Sequence, residues 1–348
     1  VEILKTGTPT GVLARISGDG SGTEIALRAD IDALAQTENY ESPWKSHTEG
    51  VMHACGHDFH TASLLGAALI LSRMKAEGRL VNTVDLIFQP AEEGTTGARS
   101  LINAGLFERI HPRAIFGFHN WPSVDSGKIV LHEGALMAAK RNMTIRIKGR
   151  GGHGSMPHLN VDPIVCAAAV VQSLQTIVSR NTDPMDALVL SISRIEGGSH
   201  VNRVADQVEM KATIRSLSDE ALDRGISRTE AIVSNTAAAY ECEWEIKWEE
   251  RIPAVRNLPA MAEAAKMAAE AAAPGCITDA TPTLASEDFA LYSQLVPSWF
   301  FWVGSRMEGE PVEELHRPGF HTDDRAMYQA AQLYAAAAML DLDNLPLQ

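Results

Sequence analysis

The chain has 348 residues, 45% hydrophobic and 21% charged, which suits a globular protein with room for two domains. Its formal net charge of -14 argues against nucleic acid or an anionic membrane as partner, because both repel it. No apolar run approaches the ~20 residues that span a bilayer, and the abrupt start at Val1-Glu2-Ile3-Leu4 shows no secretory signal. The four cysteines (Cys55, Cys166, Cys242, Cys276) are scattered without paired spacing, so a reducing, cytoplasmic setting is expected.

From residue 23 to 131 the pattern alternates. Residues 23–29 read as a strand ending in Asp30-Ile31-Asp32, and 58–75 carry helical apolar spacing that stops before Gly78. Strand 83–88, short helix 97–104 and buried strand 113–118 follow. This alternation implies an α/β sheet covered by helices. The chemically capable residues stand at strand ends: Asp30 and Asp32, then Glu92 and Glu93, then His119. Ligands of open α/β sheets bind there.

A different rhythm runs from about residue 140 to 250. Strand 142–148, helix 162–178, strands 187–195 and 207–216, helix 219–239 and strand 241–248 give βαββαβ, a complete ferredoxin-like unit. Helices 258–273 and 323–340 and strand 298–303 then return to the larger sheet. The expected organisation is a first part at 1–139, an insertion at 140–250 and a second part at 251–348.

The stretch Met52-His53-Ala54-Cys55-Gly56-His57-Asp58-Phe59-His60 concentrates a thiol, three imidazoles and a carboxylate before a helix. Such ligands suit a transition metal, and a turn feeding a helix can aim several at one point. A buried thiol beside a helix cap is the plainer alternative. As a ligand, Cys55 is a thiolate, with Asp58 or His60 orienting His57 from behind. His53 and His60 read as supporting residues.

Glu92-Glu93 directly follows an apolar strand, and Gly94 then breaks the chain. Adjacent residues in a turn point apart, so one carboxylate can bind metal while the other stays free to take a proton from water. His119 closes Phe116-Gly117-Phe118-His119, and His321 follows Gly319-Phe320. Thr322 and Asp323 read as caps of the last helix, and His316, in a charged loop, as surface.

These runs resemble the M20 metallopeptidase superfamily, specifically its amidohydrolase branch of indoleacetyl-amino-acid hydrolases, hippurate hydrolases and N-acyl-amino-acid deacylases. The matching runs are Leu27-Arg28-Ala29-Asp30-Ile31-Asp32-Ala33-Leu34, Met52 to Asp58, and Ile87-Phe88-Gln89-Pro90-Ala91-Glu92-Glu93. Further matches are Gly151-Gly152-His153-Gly154-Ser155-Met156-Pro157-His158, Asp162-Pro163-Ile164 and Ser286-Glu287-Asp288-Phe289. The resemblance implies a zinc-peptidase-like α/β catalytic domain with an inserted ferredoxin-like lid and dimerisation domain. It also implies two divalent metal ions (zinc or manganese, with cobalt or nickel also used in the family) held by Cys55, His57, Glu93, His119 and His321. Glu92 is then the general base. His153 contributes to the oxyanion site, often from a partner subunit of a homodimer, and Asn202 and Arg215 contact substrate.

Three features depart from the family pattern. The two helices with which the family usually begins are absent, Ala35 stands where a proline is usual, and Asn202-Arg203-Val204-Ala205 differs from the usual Asn-x-Ile-Pro. The implied activity is hydrolysis of a small N-acyl-amino acid to a carboxylic acid and an amino acid. A dipeptidase or aminopeptidase is the nearest alternative, but no dedicated extra acid for a substrate amine is evident. A catalytically silent metal-binding or assembly protein is the other, and it has no use for a free Glu92.

Overall fold

The structure is a computed structural model that describes residues 1–343. It begins with strands β1 (Glu2–Leu4), β2 (Val12–Ile16) and β3 (Glu24–Asp30), helix α1 (His57–Ala76) and strand β4 (Thr83–Gln89). Helices α2 (Gly97–Asn103) and α3 (Leu106–Arg109) lead to β5 (Ala114–Asp125), β6 (Ile129–Val130) and β7 (Gly134–Met137). Next come β8 (Ala139–Lys148), β9 (Gly152–His153), α4 (Pro163–Asn181), β10 (Leu188–Gly197), β11 (Arg203–Val204), β12 (Gln207–Ser216), α5 (Asp219–Ala239) and β13 (Glu243–Trp248). The chain closes with β14 (Val255–Asn257), α6 (Ala262–Ala272), β15 (Ile277–Thr278), β16 (Ser298–Arg306) and α7 (Arg325–Ala338). Two compact units result: residues 1–136, 255–282 and 287 onward form one, and residues 137–254 and 283–286 the other.

The first unit is built on a mixed sheet ordered β1-β2-β4-β3-β5-β16-β6-β15. Parallel β3 pairs with β4 up to Asp30↔Gln89 and with β5 up to Arg28↔Gly117. The chain thus leaves β3 and β4 at the same end of the sheet. β5 does not stop at Phe118, as the sequence pattern suggests. Its neighbour β16 keeps pairing through Trp302↔His119 to Arg306↔Asp125, so β5 runs on. His119 stands just past the last pairing with β3, at the rim of the sheet and within a strand.

Helices α1, α6 and α7 share one apolar cluster with the sheet. The buried positions of α1 (His60, Ser63, Leu64, Ala67, Leu71) recur at helical spacing, so one face is apolar along its length and carries histidines at its start. Leu64 and Leu71 are fully buried, each contributing about 1.5–3 kcal/mol. Gly56 sets the entry to α1. Its φ of 80° is left-handed, and a Cβ there would lie 2.3 Å from Asn120 Oδ1.

The second unit has a four-stranded antiparallel sheet ordered β10-β12-β8-β13. On β8, Met143, Ile145 and Ile147 are buried while Thr144 and Arg146 are partly exposed, the alternation of a half-covered sheet. Arg146 pairs with Glu209 and Glu245 of the neighbouring strands. Two helices supply apolar faces, Cys166, Ala167, Val170, Leu174 and Ile177 from α4 and Leu222 and Val233 from α5. Asp162 caps α4, accepting the Ile164 N–H at 2.9 Å, and Pro163 follows where its missing N–H costs nothing. Against expectation, α4 is long and apolar enough, by length and composition, to cross a bilayer. The buried face on this unit's sheet accounts for part of that composition.

Candidate metal centre

Four segments of the first unit converge at the rim of its sheet. The entry to α1 brings Cys55 from the loop and His57 from the first helical position, the turn after β4 brings Glu92 and Glu93, β5 brings His119, and the loop before α7 brings His316. The ligating atoms of Cys55, His57 and His119 lie within 4.8 Å of one another. The same holds for Cys55, Glu93 and His316, and for His57, Glu92 and Glu93. Cys55 Sγ is 3.5 Å from His119 Nε2 and 3.3 Å from His316 Nε2, so the thiol sits between two imidazoles.

The local backbone is shaped for this. Ala91 and Thr95 have left-handed φ of 58° and 53° around the two glutamates, conformations that cost a non-glycine residue roughly 1–2 kcal/mol. Asp32 secures the turn, its Oδ2 accepting the Glu93 N–H at 3.0 Å while Oδ1 lies 3.1 Å from His57 Nδ1. One carboxylate thereby registers two ligand residues. With Nδ1 engaged, His57 Nε2 is left buried without a hydrogen-bond partner. His119 donates from Nδ1 to its neighbour's carbonyl, Asn120 O, at 2.6 Å, which turns Nε2 towards Cys55.

Behind these groups lies a buried charge network. Arg28, fully buried, donates to Gln89 Oε1 at 2.9 Å, Asp30 Oδ2 at 3.0 Å, Glu287 Oε1 at 2.9 Å and Asp288 Oδ1 at 3.0 Å. Glu92 is buried beside Glu287 and Asp288, and its Oε1 accepts the Asp288 N–H at 3.4 Å. A single guanidinium therefore faces Asp30, Glu287, Asp288 and Glu92. Such an acidic, water-poor site is stable only with protons or metal cations supplying countercharge.

The protonation tendencies follow. Burial, with Glu287 and Asp288 nearby, holds the Glu92 carboxyl well above the usual range. Burial and the negative Glu93 and Glu92 push the Cys55 thiol well above its ordinary value. Burial alone would lower His57, but Asp30 and Asp32 raise it to about 9. Burial pulls His119 down to about 4, leaving a neutral ring with a free lone pair. His57 Nε2, without a hydrogen-bond partner and 3.6 Å from Asp30 Oδ2, would yield its proton to a bound cation; with the neutral His119 and a thiol between two imidazoles it suits a thiophilic or borderline divalent cation.

One expected ligand residue is placed apart from the others. His321, expected to join the ligands, is in none of the clusters; its ring stacks on Tyr40 at 4.1 Å and its Nδ1 is 2.9 Å from Gly319 O. His316, read as surface, is exposed, yet its Nε2 lies 3.2 Å from Glu93 Oε1. Its backbone is left-handed at φ 63° and its N–H donates to Ala54 O at 2.7 Å, tying this loop to the Cys55 loop. The sequence held no signal for this: Leu315 before His316 and Phe320 before His321 both belong to the apolar cluster with Met52 and Ala54.

Three remaining residues belong to the second unit. His153 on β9 pairs with Arg203 of β11, its ring is exposed, and Ser155 Oγ lies 2.8 Å from Nδ1. Asn202, exposed, immediately precedes β11 in this two-stranded ladder, its carbonyl accepting the Gly154 N–H at 2.9 Å. Arg215 on β12 is apart from them. It donates to Leu284 O at 3.1 Å, and burial lowers its pKa.

The sequence matches Peptidase family M20/M25/M40 over residues 26–340. It is 40% identical to the N-acetylcysteine deacetylase of Bacillus subtilis over 336 residues, covering 97% of this chain and 86% of that protein. It is 36% identical to the hippurate hydrolase of Campylobacter jejuni, covering 95% and 85%. Among solved structures, the Bacillus subtilis YXEP protein, described as a dinuclear metal-binding peptidase of the M20 family, superposes with a TM-score of 0.83 at 37% identity, covering 99% of this chain and 88% of that one. With the cluster of thiol, imidazoles and carboxylates at its sheet rim, the chain belongs to peptidase family M20/M25/M40.

Proposed function

We propose that this chain is a metal-dependent amidohydrolase that cleaves N-acyl-amino acids into a carboxylic acid and a free amino acid. Carrying this reading is the buried Glu92 carboxyl, which groups with His57 and Glu93 but not with Cys55. Cys55, His57, Glu93, His119 and His316 would hold two divalent cations, zinc or manganese by donor type. When bound, the cations polarise the amide carbonyl and acidify the attacking water. Glu92 takes the proton from that water and passes it to the leaving amine nitrogen. Its burial among carboxylates favours the protonated form, and the countercharge of bound cations would favour the carboxylate that acts as base. The test is amine release from acetyl-, benzoyl- and indoleacetyl-amino acids by chelator-stripped protein with each metal restored singly. No turnover of any of them under any metal would overturn the reading.

Cys55 acts as a ligand and not as a nucleophile, because burial and its acidic neighbours disfavour a free thiolate. Cys55→Asp should keep part of the activity, and Cys55→Ser far less. A covalent acyl-enzyme found on Cys55 by mass spectrometry would sink this assignment.

The second unit, with strands in the order 4-1-3-2, reads as the inserted ferredoxin-like lid. Arg215 suits recognition of the substrate carboxylate: it is partly desolvated, and no carboxylate is in ion-pair range of it among the described residues. Arg215→Ala should raise KM for N-acyl-amino acids by roughly ten- to a hundredfold, from a charge-assisted contact of about 1.5–3 kcal/mol. The matching amino-acid amides should be nearly unaffected; equal losses on both would make Arg215 structural.

A homodimer through this unit fits its exposed edge strands, with His153 serving the partner's site and Asn202 contacting substrate. Mixed Glu92→Ala and His153→Ala proteins should then recover about a quarter of wild-type activity after random subunit exchange. Exchange without recovery would place His153 outside the partner's reaction. The four free, buried cysteines support the cytoplasmic setting.

A further inference from the structure

We infer that His60 is a positioning residue of the metal centre, a ring that binds no metal and fixes where His57 and His119 point. The inference rests on the metal reading above. His60 follows His57 by three residues on α1, so both rings leave the same face of the helix. It is fully buried, and both of its nitrogens are committed. Nε2 accepts the Asn120 backbone N–H at 2.8 Å, and Nδ1 is hydrogen-bonded to Asp30 Oδ1. A backbone amide can only donate, so Nε2 must carry the lone pair and Nδ1 the proton. The tautomer follows from the partners alone.

This leaves His60 no lone pair for a cation, although it stands among the ligand residues. Its ring meets His119 edge-on at 4.6 Å and stacks on His57 at 5.4 Å. Through Asp30 it is joined to Arg28, whose Nη1 is 3.0 Å from Asp30 Oδ2. Through Asn120 it holds the backbone immediately after His119. α1, β3 and β5 are thereby pinned together at the point where two of them present imidazole ligands. Rings aimed at a metal owe their orientation to such outer contacts, whose loss typically costs about 10–100-fold in metal affinity.

Two substitutions separate the two contacts. In His60→Asn the amide nitrogen can still donate to Asp30, and the Asn120 N–H is left buried and unpaired. In His60→Gln the amide oxygen reaches the Asn120 N–H, and the Asp30 contact is lost. Chelator-stripped wild type and both variants are titrated with Co2+ against a competing indicator, and the cobalt absorption spectrum and the metal-free Tm are recorded. We expect affinity to fall about 10–100-fold in His60→Asn, less in His60→Gln, with the spectrum altered in both. A lowered metal-free Tm with wild-type affinity and spectrum would make His60 a packing residue and overturn the inference.

Should neither variant fold, wild-type protein labelled with 15N-histidine decides. His60 must show the neutral Nδ1-protonated tautomer with and without metal, and a metal-induced shift at its Nε2 would make it a ligand instead. If wild type itself binds no divalent metal, the metal reading fails; if wild type binds and the variants bind equally, only the role of His60 fails.

Discussion

Glu92→Gln should lower kcat by about 10²–10⁴-fold while leaving the metal content intact. The glutamine keeps the shape and the acceptor oxygen that meets the Asp288 N–H, but it cannot take a proton. Glu93→Ala should behave in the opposite sense. Its carboxylate clusters with Cys55 and His316, which that of Glu92 does not, so its removal should cost bound metal before it costs chemistry. Metal analysis of the purified proteins beside steady-state kinetics checks both. Loss of metal from Glu92→Gln with retention in Glu93→Ala would exchange the two roles. Because burial against Glu287 and Asp288 already favours the neutral form of Glu92, the neutral glutamine adds no charge change in the metal-free protein. A Tm of the metal-free variant close to that of wild type is therefore expected.

His316→Ala and His321→Ala form the second decisive pair. His316 Nε2 is placed beside Cys55 Sγ and Glu93 Oε1, so its truncation should weaken metal binding by more than the ~10–100-fold that follows loss of an outer contact. Activity at low metal should vanish and return only in part at high metal. His321→Ala removes a ring stacked on Tyr40, a contact worth about 0.5–1.5 kcal/mol of stability. Its metal affinity should match wild type. Competition titrations against a chelator measure both, and an affinity loss confined to His321→Ala would restore the ligand set expected from the resemblance alone.

Much of the site was legible before any coordinates because its chemistry is local in sequence. Cys55, Gly56 and His57 lie in one turn, Glu92 and Glu93 in another, and each turn follows or precedes an element with strong periodicity. Hydrophobic spacing alone separates the alternating α/β stretch from the βαββαβ stretch, since period and length are properties of the chain itself. The identity of the metal-type residues in those turns is likewise a property of the chain.

What only the tertiary structure decided concerns loops without periodicity and contacts between distant residues. The loop before α7 carries two histidines five positions apart, and nothing in its charged sequence ranks them. His316 comes beside Cys55 because its N–H meets Ala54 O in the Cys55 loop, whereas the His321 ring stacks on Tyr40. The same holds behind the ligands. Arg28 gathers Asp30, Gln89, Glu287 and Asp288 from segments up to 260 residues away, and His60 joins Asp30 to the backbone of Asn120. β5 extends past His119 because β16, formed 180 residues later, supplies its hydrogen bonds. Sequence fixes which groups can bind a cation and where the chain turns. Which lone pairs face one another depends on where long-range packing and buried hydrogen bonds bring those turns together.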